Sequence, residues 1–136
     1  MPDRPTPPEP APVAVFVCDD SEAFRELLSL QLEGTGCQVV GGAGRAQDCA
    51  PAIGVASPDV VLLDHGVAPP GNWEGFVAEL RAAAPQAPIV LLSGLPRDFL
   101  ARQAQIFGLD GSLHKDEPPL RLAALILDVV GAETAP

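Results

Sequence analysis

The chain has 136 residues, a usual length for one domain that buries well over half of the surface its unfolded chain exposes. It carries 8 Lys and Arg against 18 Asp and Glu, a formal net charge of -10, which excludes a chain that by itself grips nucleic acid or an anionic membrane, since both need clustered cations. No apolar run approaches the roughly 18 residues of a membrane span, and Met1 to Pro12 lacks the apolar core of a signal peptide, so the expected location is the cytoplasm with no membrane insertion.

Residues 1–12 hold Pro2, Pro5, Pro7, Pro8, Pro10 and Pro12 among charged and small residues, which predicts a flexible, polyproline-like tail. Val13 to Cys18 is a β-branched run that predicts a strand. Ser21 to Glu33 follows as a helix, with Phe24, Leu27, Leu28 and Leu32 at helical spacing and Gly34 as its terminator. Gln38 to Gly41 is a short second strand. The next helix is interrupted by Pro51 and Gly54; with Asp48 as its N-cap, Pro51 falls in the first turn, and the helix is expected to be short.

Asp59 to Asp64 is apolar on both faces between two acids, as a central strand of a parallel sheet requires. Asn72 to Ala84 is helical, with Trp73, Phe76, Val77 and Leu80 on one side. Ile89 to Ser93 is a fourth strand, Pro96 to Phe107 a helix with proline at N1, Ser112 to Lys115 a fifth strand and Pro118 to Val130 a last helix. These elements define a domain over residues 13–131, with 132–136 as a short C-terminal tail. Five strands alternating with helices predict an α/β fold, a parallel sheet built from right-handed crossovers with helices on both faces. Cys18, Cys37 and Cys49 are odd in number, lie in or beside apolar segments and form no C-x-x-C pair, so they are read as free buried thiols.

In such a fold ligands bind at the carboxyl ends of the strands. That rim is polar: the first strand ends in Asp19-Asp20, the third in Asp64, the fourth in Ser93 and the fifth in Lys115. Converging carboxylates either raise one another's pKa values or bind a divalent cation. Oxygen ligands without His or Cys suit Mg²⁺. A lysine and a hydroxyl beside them complete a site able to orient a transferring phosphoryl group, for which Asp64 is the natural nucleophile.

The segments Val17-Cys18-Asp19-Asp20-Ser21, Asp59-Val60-Val61-Leu62-Leu63-Asp64, Ile89-Val90-Leu91-Leu92-Ser93-Gly94 and Gly111-Ser112-Leu113-His114-Lys115 resemble, in order and approximate spacing, the response-regulator receiver domain of two-component signalling, in a stand-alone, chemotaxis-regulator-like form. The resemblance covers about residues 13 to 131. It implies a flavodoxin-like doubly wound five-stranded sheet in the order 2-1-3-4-5. It implies that Asp64 accepts phosphate from a histidine kinase or phosphotransfer protein, with Ser93 and Lys115 on the phosphoryl group. Mg²⁺ would be held by Asp20, Asp64 and the Gly66 backbone carbonyl, with Asp19 acting partly through water. The expected function is a phosphorylation-dependent switch of protein-protein interactions, not an enzyme beyond its own phosphorylation and dephosphorylation, acting on a downstream protein.

Several positions depart from the family pattern. Ala68 stands where a proline is common four residues after the acceptor, and Pro69-Pro70-Gly71 follow, so the loop after Asp64 is expected to be rebuilt. Ser112 replaces the aromatic residue that in many receivers moves on activation, and Asp116 follows the lysine instead of proline. These departures motivate an alternative, a receiver-like adaptor that binds partners without phosphorylation. A phosphatase of the haloacid dehalogenase type needs a second acid two residues past the nucleophile, where this chain has Gly66. His65 and His114 are read as surface or supporting histidines, and the glycines from Gly34 to Gly44 as turn formers. Gly66 and Leu95, the positions best placed to guide an attacking water, carry no group to do so, which predicts slow self-dephosphorylation.

Overall fold

The structure, a computed structural model, describes residues 11–134. Most of the tail expected over 1–12 lies outside the described residues, as do residues 135–136. In chain order the elements are β1 (Val13–Cys18), α1 (Glu22–Leu32), β2 (Cys37–Ala43), α2 (Ala46–Ala56), β3 (Val60–Leu63), α3 (Trp73–Ala83), β4 (Ile89–Ser93), α4 (Arg97–Ile106), β5 (Gly111–His114) and α5 (Pro119–Thr134). The strands form one parallel sheet in the order β2-β1-β3-β4-β5, the doubly wound order expected from the sequence.

The central strand shows why the sheet forms. Val60, Val61, Leu62 and Leu63 are all fully buried, as a strand covered on both faces must be, and each side chain contributes roughly 1.5–3 kcal/mol by leaving water. Alternation then divides the core. Phe16, Cys18, Val61 and Leu63 pack with Cys49 and Ile53 of α2 and Phe76, Val77 and Leu80 of α3. Val15, Val17, Leu62 and Leu92 face the other way, onto Leu28 and Leu32 of α1 and Leu122 and Ile126 of α5. Helix α4 packs over β4 and β5 through Leu100 and Ala104. Leu27, expected on the inner face of α1, is half exposed.

Local signals set the helix ends. The Ser21 hydroxyl accepts the Phe24 N–H at 3.1 Å and caps α1. Gly34 and Gly36 turn the chain back into β2 with φ of 77° and 91°, a region that disfavours side chains.

Several boundaries differ from expectation, beginning with β2, expected over Gln38 to Gly41 and found over Cys37–Ala43. Helix α2 is not short: its N-cap is Arg45, not Asp48, and it runs through Pro51 and Gly54 to Ala56. Its buried residues Cys49 and Ile53 hold the inner face to the sheet, and Pro51 sits on the exposed side, where water can satisfy the carbonyl its missing N–H leaves unpaired. Pro96 occupies the N-cap of α4, not N1. Strand β5 ends at His114, so Lys115 begins the following turn. Helix α5 continues to Thr134, past the end near Val130 read from the sequence.

Candidate functional site

The sheet ladder brings the polar rim together. The Asp19 N–H donates to the Ala43 carbonyl at 3.0 Å, the Asp64 N–H to Cys18 at 2.8 Å and the Lys115 N–H to Ser93 at 3.0 Å, so each residue just beyond a strand is fixed by its neighbouring strand. Asp19, Asp20 and Asp64 offer carboxylate oxygens that lie within 4.8 Å of one another. A donor set of carboxylate oxygens alone suits a hard divalent cation, and like charges this close favour one.

The acids differ in how they are held. Asp19 is only 1% exposed; its Oδ1 accepts the Ser21 N–H at 2.9 Å and its Oδ2 the Lys115 ammonium at 2.6 Å. Asp64 is partly buried, with Oδ1 3.0 Å from Lys115 Nζ and Oδ2 accepting the Gly66 N–H at 3.0 Å. Asp20 is exposed to solvent. Lys115 therefore bridges two carboxylates, and its Nζ also lies 4.2 Å from the centre of the Phe24 ring. Burial alone would push its pKa down, yet the hydrogen bonds to Asp19 and Asp64 outweigh that and hold it above the ordinary 10.5.

Ser93 ends β4 on the same rim, buried, with its hydroxyl accepting the Leu95 N–H at 3.2 Å. The Gly66 N–H donates to Asp64 Oδ2, a bond that leaves free its carbonyl, the group the family resemblance implies as a metal ligand. A Cβ at position 66 would lie 3.1 Å from Asp64 Oδ2, so a side chain there would crowd the carboxylate.

The chain matches the family model of the response regulator receiver domain over residues 15–127. It belongs to that family. Protein-glutamate methylesterase/protein-glutamine glutaminase of Azospirillum brasilense is 38% identical over 103 residues, covering 68% of this chain and 26% of its own length. Methanol utilization control regulatory protein MoxX of Paracoccus denitrificans is 26% identical over 124 residues, 87% of this chain and 53% of its own. The chain thus spans about a quarter and about half of the length of these relatives. Among solved structures, the signal receiver domain of the response regulator NarL from Mycobacterium tuberculosis aligns with a TM-score of 0.72 at 30% identity, covering 89% of this chain and 98% of that one. A LuxR-family two-component response regulator from Aurantimonas sp. SI85-9A1 aligns with a TM-score of 0.75 at 22% identity, covering 89% and 86%, a likeness of fold.

As a receiver the chain is a module of phosphorylation-based two-component signalling, and receivers work with histidine kinases or phosphotransfer proteins and with effectors. No helix among the described residues is long and apolar enough to cross a membrane. All three cysteines are free and buried; a hydrogen bond with Cys49 and burial push the Cys18 thiol up, and the same hydrogen bond lowers Cys49.

Some features of this receiver were not visible in its sequence. His114 is buried, which fits the supporting role of the two read for it, and its Nδ1 accepts the Asp116 N–H at 3.0 Å. The Asp116 carboxylate, 3.5 Å from the same atom, becomes an ion-pair partner only if the ring is protonated. His65, directly after Asp64, sits 5.4 Å from the Trp73 ring and 5.7 Å from Phe99, and Trp73 stacks on Phe107 at 4.4 Å. A pocket of about 380 Å³ beside this stack, lined by Gly71, Asn72, Trp73, Glu74 and Phe107, takes in none of Asp19, Asp20 and Asp64. Arg25 was also missed: its Nη1 donates to the Asp19 carbonyl at 2.6 Å. The signal for it was positional, because a helix that starts just beyond β1 lays its first turn beside the site.

Proposed function

We propose that Asp64 is the phosphoacceptor of this receiver, taking a phosphoryl group from a phosphohistidine of a kinase or phosphotransfer protein. The observation that carries the reading is the Asp64 carboxylate, paired to Lys115 at 3.0 Å inside a cluster of three acids able to hold a cation. A carboxylate oxygen of Asp64 attacks phosphorus, the P–N bond to the donor imidazole breaks, and the imidazole leaves with a proton from solvent, giving an acyl phosphate. Lys115 then follows the new negative charge from the carboxylate to the phosphoryl oxygens, and the Ser93 hydroxyl turns from the Leu95 N–H to donate to one of them. Asp20, Asp64 and the Gly66 carbonyl would hold Mg²⁺, with Asp19 acting partly through water, since Lys115 and the Ser21 N–H already meet its oxygens. Mg²⁺ supplies the positive charge that lets a carboxylate approach a phosphoryl dianion.

The phosphorylated form changes affinity for a downstream protein. Its lifetime is long, because Gly66 and Leu95 offer no side chain to orient water. Incubation with acetyl phosphate and Mg²⁺, followed by intact mass, tests the reading. Wild type gains one phosphoryl group and chelation of Mg²⁺ prevents it. A wild type that gains nothing would leave the adaptor without phosphorylation as the better account.

A further inference from the structure

Gly42, inside β2, and Gly44, in the bend just past its end, make room for Arg25. Glycine inside a strand weakens it and marks a place where something approaches closely. A Cβ on Gly42 would lie 3.0 Å from Arg25 Cδ and 3.0 Å from the Val17 carbonyl oxygen. On Gly44 it would lie 3.0 Å from Arg25 Nη1 and 3.5 Å from the Asp19 carbonyl oxygen. The arginine leaves the first turn of α1 and lies along this channel to reach the Asp19 carbonyl at 2.6 Å.

With that bond Asp19 is held at four points. Its N–H is tied to Ala43, its carbonyl to Arg25, and its two carboxylate oxygens to the Ser21 N–H and the Lys115 ammonium. Two of these anchors involve the backbone on either side of the Asp19 Cα, so the direction in which Asp19 projects, and the course of the chain into Asp20, depend on them. A guanidinium suits the role, because it donates in a fixed plane and keeps its charge, where an ammonium on a shorter stem falls short.

We propose that Arg25 is a positioning residue for the metal-binding acids: seated in the glycine channel of β2, it fixes the Asp19-Asp20 turn so that the carboxylates converge on Asp64. The inference rests on the reading of the acid cluster as a Mg²⁺ site. It opposes a purely coulombic role, and the two differ in sign. Removing a cation beside three acids strengthens Mg²⁺ binding if charge alone matters; it weakens binding if the turn loses its anchor.

Isothermal titration of the whole chain with MgCl₂ decides between them. Arg25→Met keeps the stem and removes charge and donors; its Mg²⁺ dissociation constant is expected to rise about tenfold or more, the usual effect of losing a group that orients a ligand. Gly44→Ala keeps Arg25 but displaces its guanidinium, and the backbone there needs no left-handed φ, so this variant carries the test even if Arg25→Met fails to fold. It also weakens binding, and it adds nothing further in the Arg25→Met background. Unchanged or tighter binding in either single variant, or additive losses in the double variant, would overturn the proposal while leaving the Mg²⁺ site intact. A wild type that binds no Mg²⁺ would overturn the site reading and this inference together.

Discussion

The two flanks of Asp64 are built from different materials. Toward β1 and β5 the carboxylate meets charge and hydrogen bonds: Lys115, the pinned Asp19 behind it and Arg25 behind that. Toward α3 and α4 the next residue, His65, meets the rings of Trp73 and Phe99, with Phe107 stacked beyond. Hydrogen bonds to charged groups are directional and roughly twice as strong as neutral ones, whereas ring contacts are worth about 0.5–1.5 kcal/mol each beyond the area they bury. The first flank surrounds Asp64 with charge, and the second sets rings beside it. Such a division also answers the loss of an aromatic residue at Ser112, since rings are present, attached to β3, α3 and α4 instead of β5.

Substitutions on the two flanks should therefore separate binding from response. Asp64→Asn has the largest expected effect, complete loss of acetyl phosphate labelling read by intact mass. Lys115→Met comes next, with labelling at saturating Mg²⁺ slowed by tenfold or more, on the order of the stabilisation one positioned charge supplies. The same lysine gives a pH signature in the metal-free protein. Its folded pKa lies above 10.5, so its contribution to stability is present below the unfolded value and disappears as pH rises through the raised value. Wild type should lose its advantage over Lys115→Met in denaturant midpoint across that alkaline window; equal pH profiles would show that Lys115 is not held by the acids.

On the other flank Trp73→Leu should leave Mg²⁺ affinity unchanged and cost only about 1 kcal/mol in urea unfolding beyond the area lost. A fall in Mg²⁺ affinity would mean that the flanks are not separate. Leu95→Glu, which gives the rim a group able to orient water, should shorten the life of the phosphorylated form; an unchanged decay rate would remove the argument for a slow switch. Outside the site, Pro51→Ala is expected to stabilise α2 by up to about 3 kcal/mol in thermal unfolding, with the smallest effect on labelling, none.

The fold was legible because its signals are local and repeated. Val60 to Leu63 reads as a buried parallel strand from composition alone, and the polar residues closing the first, third, fourth and fifth strands mark the rim. Asp19, Asp20, Asp64 and Lys115 could thus be placed together before any coordinate was known, and the structure brings them together. What escaped was whatever depends on side-chain direction. Pro51 looked like a helix start because its cost is local, while the burial of Cys49 and Ile53 that outweighs it is not. For His114 alternation left a surface and a supporting place open, and it is buried at the end of the edge strand β5. Gly42 looked like a turn residue but lies in β2, and nothing in the sequence says that Arg25 folds back across it and Gly44.

The central claim is that the phosphoryl group resides on Asp64, and its chemistry permits a direct reading. Borohydride reduces an acyl phosphate of aspartate to homoserine, so protein labelled with acetyl phosphate and Mg²⁺, reduced and digested, should yield the peptide containing residue 64 with homoserine in place of aspartate. Homoserine at Asp19, Asp20 or any other acid, or none in protein shown to carry phosphate, would contradict the account.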